Sequence, residues 1–174
     1  LNIGILNPFV QGIAHRVQGL GNGALHLGGE LDSPQVNGSI RINDGGCMID
    51  FLNTYYTFSP TIHVNDSLIS ITDLALTDTL GNAASVAGQI THDHFKDFHL
   101  NIRMLPNNFL AMASNASTSP SFYGTAIASG IIEVKGPLND LDISVRARTN
   151  KGTVMTIPIG GNSEVTKHEF IVFV

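Results

Sequence analysis

Leu25-His26-Leu27-Gly28-Gly29-Glu30-Leu31-Asp32-Ser33-Pro34-Gln35-Val36-Asn37-Gly38-Ser39-Ile40-Arg41-Ile42 decides the fold class. Leu25, Leu27 and Leu31 alternate with His26, Gly28 and Glu30. After the turn-forming Asp32-Ser33-Pro34, the residues Val36, Gly38, Ile40 and Ile42 alternate with Asn37, Ser39 and Arg41. A period of two places successive side chains on opposite faces of a strand, so this stretch predicts an antiparallel hairpin with one apolar and one polar face.

The same pattern runs along the chain in both directions. Asn43-Asp44-Gly45-Gly46 predicts the next turn, and Met48–Leu52 and Tyr55–Phe58 predict short strands. Ile62 and Val64 lead to an Asn65-Asp66 turn, and Ser67–Leu76 predicts a strand bent near Thr72-Asp73. Val86–Thr91 and Phe95–Met104 predict a hairpin with Phe98, Leu100, Ile102 and Met104 on one face. Gly124–Lys135, Leu141–Thr149 and Thr153–Ile159 complete the set. Two stretches suit helices: Pro8–Arg16, with Asn7 as N-cap, and Ser163–Phe173. Ser114–Ser121 predicts a mobile loop. The fold expected is therefore all-β, with at most two short helices.

A loose repeat strengthens this reading. Gly29-Glu30-Leu31-Asp32-Ser33 and Gly136-Pro137-Leu138-Asn139-Asp140 each precede an alternating strand. Repeated hairpins fit a sheet that grows along one axis; they also fit a β-sandwich. Residues 1–174 are taken as a single β-rich segment. Beginning at Leu1 and ending in the apolar run Phe170–Val174, it reads as a piece of a longer protein.

Composition narrows the function. Charged residues make up 13% of the chain and hydrophobic ones 43%, against roughly 25% charged in ordinary soluble domains. So little charge leaves either a skin of Asn, Ser, Thr and Gly or an apolar surface open to a ligand. A net charge of −5 and nine scattered basic residues argue against nucleic acid. The single cysteine, Cys47, cannot form an internal disulfide and reads as a small buried hydrophobe. No run of about 18 apolar residues is present to span a membrane as a helix.

Signals for chemistry are weak. His92-Asp93-His94 would bring two imidazoles to one strand face, but polar residues are expected at a hairpin turn, so no metal site is assigned. Asp78 reads as a turn cap rather than a catalytic acid. Gly19-x-Gly21-x-Gly23 precedes a strand, which is not the setting of a dinucleotide fingerprint. No cofactor and no catalytic residue are assigned, and the chain is read as non-enzymatic. A polysaccharide-active β-helix would need an exposed acidic cluster on neighbouring rungs, which is missing.

Several stretches together resemble the TamB family of AsmA-like envelope proteins. They are Leu27–Ile40, Asp50–Phe58, Leu76–Asn82, Phe95–Phe98 and Phe122–Ala126 through Gly136-Pro137, spread from Gly19 to Pro158. Each is short; their order and spacing carry the resemblance. It implies a β-stranded body folded into a trough (a "β-taco") with an apolar interior, lying in the periplasm of a Gram-negative envelope. The full-length protein would be anchored in the inner membrane and meet an outer-membrane barrel partner. The function implied is phospholipid transport between the membranes, support of outer-membrane protein assembly, or both.

On this reading phospholipid acyl chains lie against Leu25, Leu27, Leu31, Val36, Ile40, Ile42, Phe98, Leu100, Ile102, Ile132, Val134, Ile143 and Val145. Plain core residues obey the same alternation. The alternative is a module that pairs with client β-proteins by strand addition. A dimer that buries apolar rims is a further expectation.

Overall fold

The computed structural model describes residues 1–158 apart from Leu31, and describes Leu6, Phe9 and Asp73 by backbone alone. Every strand in it belongs to one antiparallel sheet. In chain order the strands are β1 (Ala14–Glu30), β2 (Ser33–Ile49), β3 (Thr54–Phe58), β4 (Thr61–Val64), β5 (Leu68–Thr77), β6 (Ala83–Asp93), β7 (Lys96–Pro106), β8 (Phe109–Ser114), β9 (Tyr123–Pro137), β10 (Asp142–Thr149) and β11 (Val154–Thr156).

Three pairs of these strands are long lines broken once. β3 and β4 lie in succession along β2, at Ile49–Gly45 and Arg41–Gly38. Ser59-Pro60 makes the break, since proline cannot donate to the ladder, and Pro60 O still accepts from Ile42 N at 2.9 Å. β7 and β8 follow one edge of β9, and β10 and β11 the other. The topology is a meander, each line beside its predecessor, as expected of repeated hairpins.

Two irregularities keep the apolar side chains on one face. The expected turn at Asn43–Gly46 is instead a bulge within β2, where the register against β1 shifts opposite Gln18 and Leu20. Asp44 there has φ 50°. The glycines serve packing rather than reversal: a Cβ on Gly45 would lie 2.5 Å from the Phe58 ring, and one on Gly46 2.0 Å from the Tyr55 hydroxyl. The bulge changes parity, so Ile40 and Ile42 share a face with Cys47 and Ile49. A second shift, between Ile71 and Leu74, falls where the sequence predicts a bend.

The sheet closes on itself at one end. β8 turns toward β3, where Ala113 N donates to Leu52 O (2.9 Å) and Asn53 Nδ2 donates to Ala113 O (2.6 Å). The core sits in this closure. It contains Tyr56, Ala84 and Phe109, with Ile49, Leu76 and Met104 packed against them. The Tyr56 and Phe109 rings stack at 4.9 Å.

Asp78 fixes the β5–β6 turn to this end, because its carboxylate accepts from Leu80 N (2.9 Å), Asn82 N (2.8 Å) and Leu110 N (2.6 Å). The capping role read from the sequence is thus joined by a long-range tie.

Three expectations need correction. The helix over Pro8–Arg16 is absent; a 3₁₀ helix spans Ile3–Phe9, capped by the Asn2 side chain, which accepts from Gly4 N at 2.8 Å. Pro8 lies inside that helix, one residue before its end, rather than opening one, and β1 begins at Ala14. β8 was not anticipated, because a strand buried on both faces lacks alternation. Ser114–Ser121 begins with an ordered turn, in which Asn115 Oδ1 accepts from Ser117 N (3.0 Å) and Thr118 N (3.1 Å). The helix expected over Ser163–Phe173 lies outside the described residues.

Candidate apolar binding face

Strand register brings together residues far apart in sequence. In an antiparallel sheet, directly opposed residues point to the same face. One row crosses the sheet as Gly23, Ile40, Ile62, Ile71, Gly88, Ile102, Val134 and Ile143, each opposite the next. The row beside it runs Leu25, Gly38, Val64, Ile69, Ile90, Leu100 and Gly136. A third joins Leu74, Val86, Met104, Ile132 and Val145. The result is a continuous aliphatic face over all the lines of the meander.

The residues named from the sequence occupy this face in three states. Ile40, Leu100, Ile102, Ile132 and Val134 are half-buried, as is Phe98. Leu27, Ile143 and Val145 are 80%, 61% and 58% exposed, and Leu25 is 39% exposed. Val36 and Ile42 are buried. Ile42 stands opposite Gly21, above which the 3₁₀ segment lays Ile3, itself buried. Leu31 lies outside the described residues.

The other face is polar. Arg103 stands opposite Glu133 and Asn101 opposite Lys135, and Lys135 Nζ lies 3.2 Å from Glu133 Oε1. Exposed pairs of this kind add little stability; their value is to keep that face in water.

Where the sheet closes, the apolar face deepens into a pocket of about 410 Å³. Its walls include Cys47, Tyr56, Leu76, Met104, Phe109, Ile132 and Val145. This volume falls within the range of small-molecule sites, roughly 300–1,000 Å³. Among these, alternation singles out Met104, Ile132 and Val145. The pocket floor was missed because it comes from β8 and from the half of β2 beyond the bulge, where a strict period of two fails.

No reactive group converges on the pocket. The Tyr56 hydroxyl donates to Leu110 O at 2.9 Å. Burial pushes the Tyr56 phenol up to about 12 and raises the Cys47 thiol. Both are therefore neutral near pH 7; Cys47, read from the sequence as buried, is only partly buried and presents a small apolar surface to the pocket.

The His92/His94 pair does not share a face. β6 ends at Asp93, and His94 and Phe95 take φ of 48° and 62° in the turn. His94 Nδ1 instead meets Asp93 Oδ1 at 2.6 Å. Among the described residues, no three His, Cys, Asp or Glu side chains group as metal ligands.

Comparison with protein families matches residues 72–174 to the family described as TamB C-terminal domain. That covers more than half of the chain, from the bend in β5 onward. Comparison with curated proteins and with solved structures gives no match.

Proposed function

We propose, from the premise that the chain belongs to the TamB family, that its apolar face receives phospholipid acyl chains. The observation that carries this reading is the row from Ile40 through Ile62, Ile71 and Ile102 to Val134 and Ile143, which lies on one face of a single sheet and is half-buried along its length, with Ile143 61% exposed. Half-buried aliphatic side chains in continuous rows can shed water onto an acyl chain, with a gain of about 0.8 kcal/mol per buried methylene. Such contact is non-directional, so it needs no head-group pocket and lets a chain slide along the face. The rows and the pocket beneath β8 support a trough with an apolar interior.

In this reading the chain is a non-enzymatic segment of an envelope protein. The full-length protein lies in the periplasm of a Gram-negative cell, is anchored in the inner membrane and engages an outer-membrane barrel partner. No helix among the described residues is long and apolar enough to cross a membrane.

Native mass spectrometry with lipid extraction, on the chain purified from a Gram-negative host, tests the reading. Bound phospholipid that is lost on Leu100→Glu, in a protein still folded by circular dichroism, supports it. A folded wild-type chain that carries no lipid and takes none from phosphatidylethanolamine vesicles overturns it.

One observation favours strand addition as a second role. The first half of the β1 edge is covered by residues ahead of it in the chain: Gly21 N donates to Leu1 O (2.7 Å), and Asn2 bridges to Leu20. The outer edge of β10 has no strand beside it among the described residues. A client strand could pair there. Proline placed in β10 would then abolish client-peptide binding and leave lipid binding intact; unchanged peptide binding would rule the role out.

A further inference from the structure

The tip of the β6–β7 hairpin holds a buried histidine that plays no part in the lipid reading. His92 is 6% exposed. Its Nδ1 accepts from Phe95 N at 3.2 Å and so closes the turn. The ring lies nearly parallel to that of Phe95, with centroids 4.4 Å apart, and is tilted against Phe98 at 5.8 Å. Nε2 is buried without a partner. The turn is under backbone strain, since His94, Phe95 and Asp97 all have positive φ, of 48°, 62° and 49°. Side chains disfavour that region, so the conformation depends on contacts that hold it.

The hydrogen-bond pattern fixes the tautomer. Nδ1 accepts, so the proton of the neutral ring is on Nε2. A second proton can go only to Nδ1, where it would face the Phe95 N–H, and two donors cannot bond. The charged ring would also stand without a counterion.

The neighbouring ionisable groups are engaged elsewhere or on the wrong side. In the turn, Asp93 takes His94 Nδ1 and stands opposite Lys96. On β7, Asp97 is exposed and its carboxylate makes no ion pair with His92, while its main-chain O lies 3.0 Å from His99 Nδ1. From the β5 side, Ser67 O accepts from His92 N, while the nearby Asp66 carboxylate accepts from Asn37 Nδ2. From the loop after β9, Leu138 N reaches Phe98 O, and Asp140 is exposed. The Phe95 ring face attracts a cation, but this does not replace the lost hydrogen bond and the missing counterion.

We propose that His92 is a proton-sensitive latch. Protonation at Nδ1 releases the Phe95 N–H and opens the turn from His92 to Asp97, which lifts Phe95 from its stack. The remainder of the sheet keeps its ladder. The latch borders the apolar face through Phe98, but its opening is read at the turn and does not require a bound lipid.

Amide hydrogen exchange on the whole chain, corrected for intrinsic rates, tests the latch at about pH 8 and about pH 5, the span over which imidazoles change charge. Phe95 protection is expected to fall tenfold or more at the lower pH, with Cys47 on β2 unchanged. His92→Asn, which offers a neutral carbonyl acceptor close to the position of Nδ1, is expected to abolish the pH dependence, and His94→Asn to preserve it. Equal Phe95 protection at both pH values overturns the proposal, as does a His92→Asn protein that retains the fall. Should that variant not fold, NMR of the unaltered protein decides: the Phe95 amide shift must follow the titration of the His92 ring, and a Phe95 amide that stays still while His92 titrates overturns the latch.

Discussion

Tyr56 on β3 and Leu110 on β8 are joined by a 2.9 Å hydrogen bond from the phenol to the main-chain carbonyl, although 54 residues separate them. With Phe109 stacked on Tyr56, this contact folds the β8 line back over the apolar face and makes the pocket. Tyr56→Phe keeps the ring and leaves the Leu110 carbonyl without its partner. A loss of about 1–2 kcal/mol is expected, read as a lower denaturant midpoint with an unchanged slope.

The same phenol makes stability depend on pH in the alkaline range. Its folded-state value is pushed up to about 12 from the ordinary 10. The contribution is therefore fully present below pH 10 and is lost as pH rises through about 12. Two units correspond to about 3 kcal/mol. Cys47, also raised by burial, acts in the same direction. Tyr56→Phe is expected to flatten most of this loss in urea titrations above pH 10; an equally steep decline would refute the assignment.

Asp78 holds three backbone N–H groups, and that of Leu110 is buried with it. Asp78→Ala removes the acceptor for all three and is expected to cost about 3 kcal/mol or more. The measurable sign beyond stability is faster amide exchange at Leu80, Asn82 and Leu110 together. Loss at the turn alone would mean that Asp78 is only a local cap.

Gly88 stands between Ile71 and Ile102 in the aliphatic row. A Cβ there would lie 2.6 Å from Asn101 O and 2.7 Å from Ile102 Cα. Neither backbone atom can yield without breaking the β6–β7 register. Gly88→Val is expected to lose about 2–4 kcal/mol, whereas Ala87→Val, exposed on the neighbouring position, changes stability little.

Much of this architecture was legible in the sequence. The Leu25–Ile42 hairpin, the bend at Thr72-Asp73 and the capping role of Asp78 follow from alternation and turn chemistry. The bulge at Asn43–Gly46 was not, because Asn-Asp-Gly-Gly has the composition of a reversal. Only the Phe58 and Tyr55 rings over its glycines show why the strand runs on. Phe109–Ser114 was silent because both of its faces are buried. The pocket was hidden for the same two reasons, whereas the open rows were visible strand by strand; register alone shows that they are continuous.

Ile102 and Arg103 are adjacent on β7 and point to opposite faces, so they pose the central question most directly. A photo-crosslinking amino acid placed at each in turn, in the full-length protein in Gram-negative cells, reports what each face touches. The acyl-chain account predicts phospholipid adducts from position 102, and from Val134 opposite it, with none above background from 103. Equal labelling of both faces, or no lipid adduct at 102 in a folded protein, would contradict it.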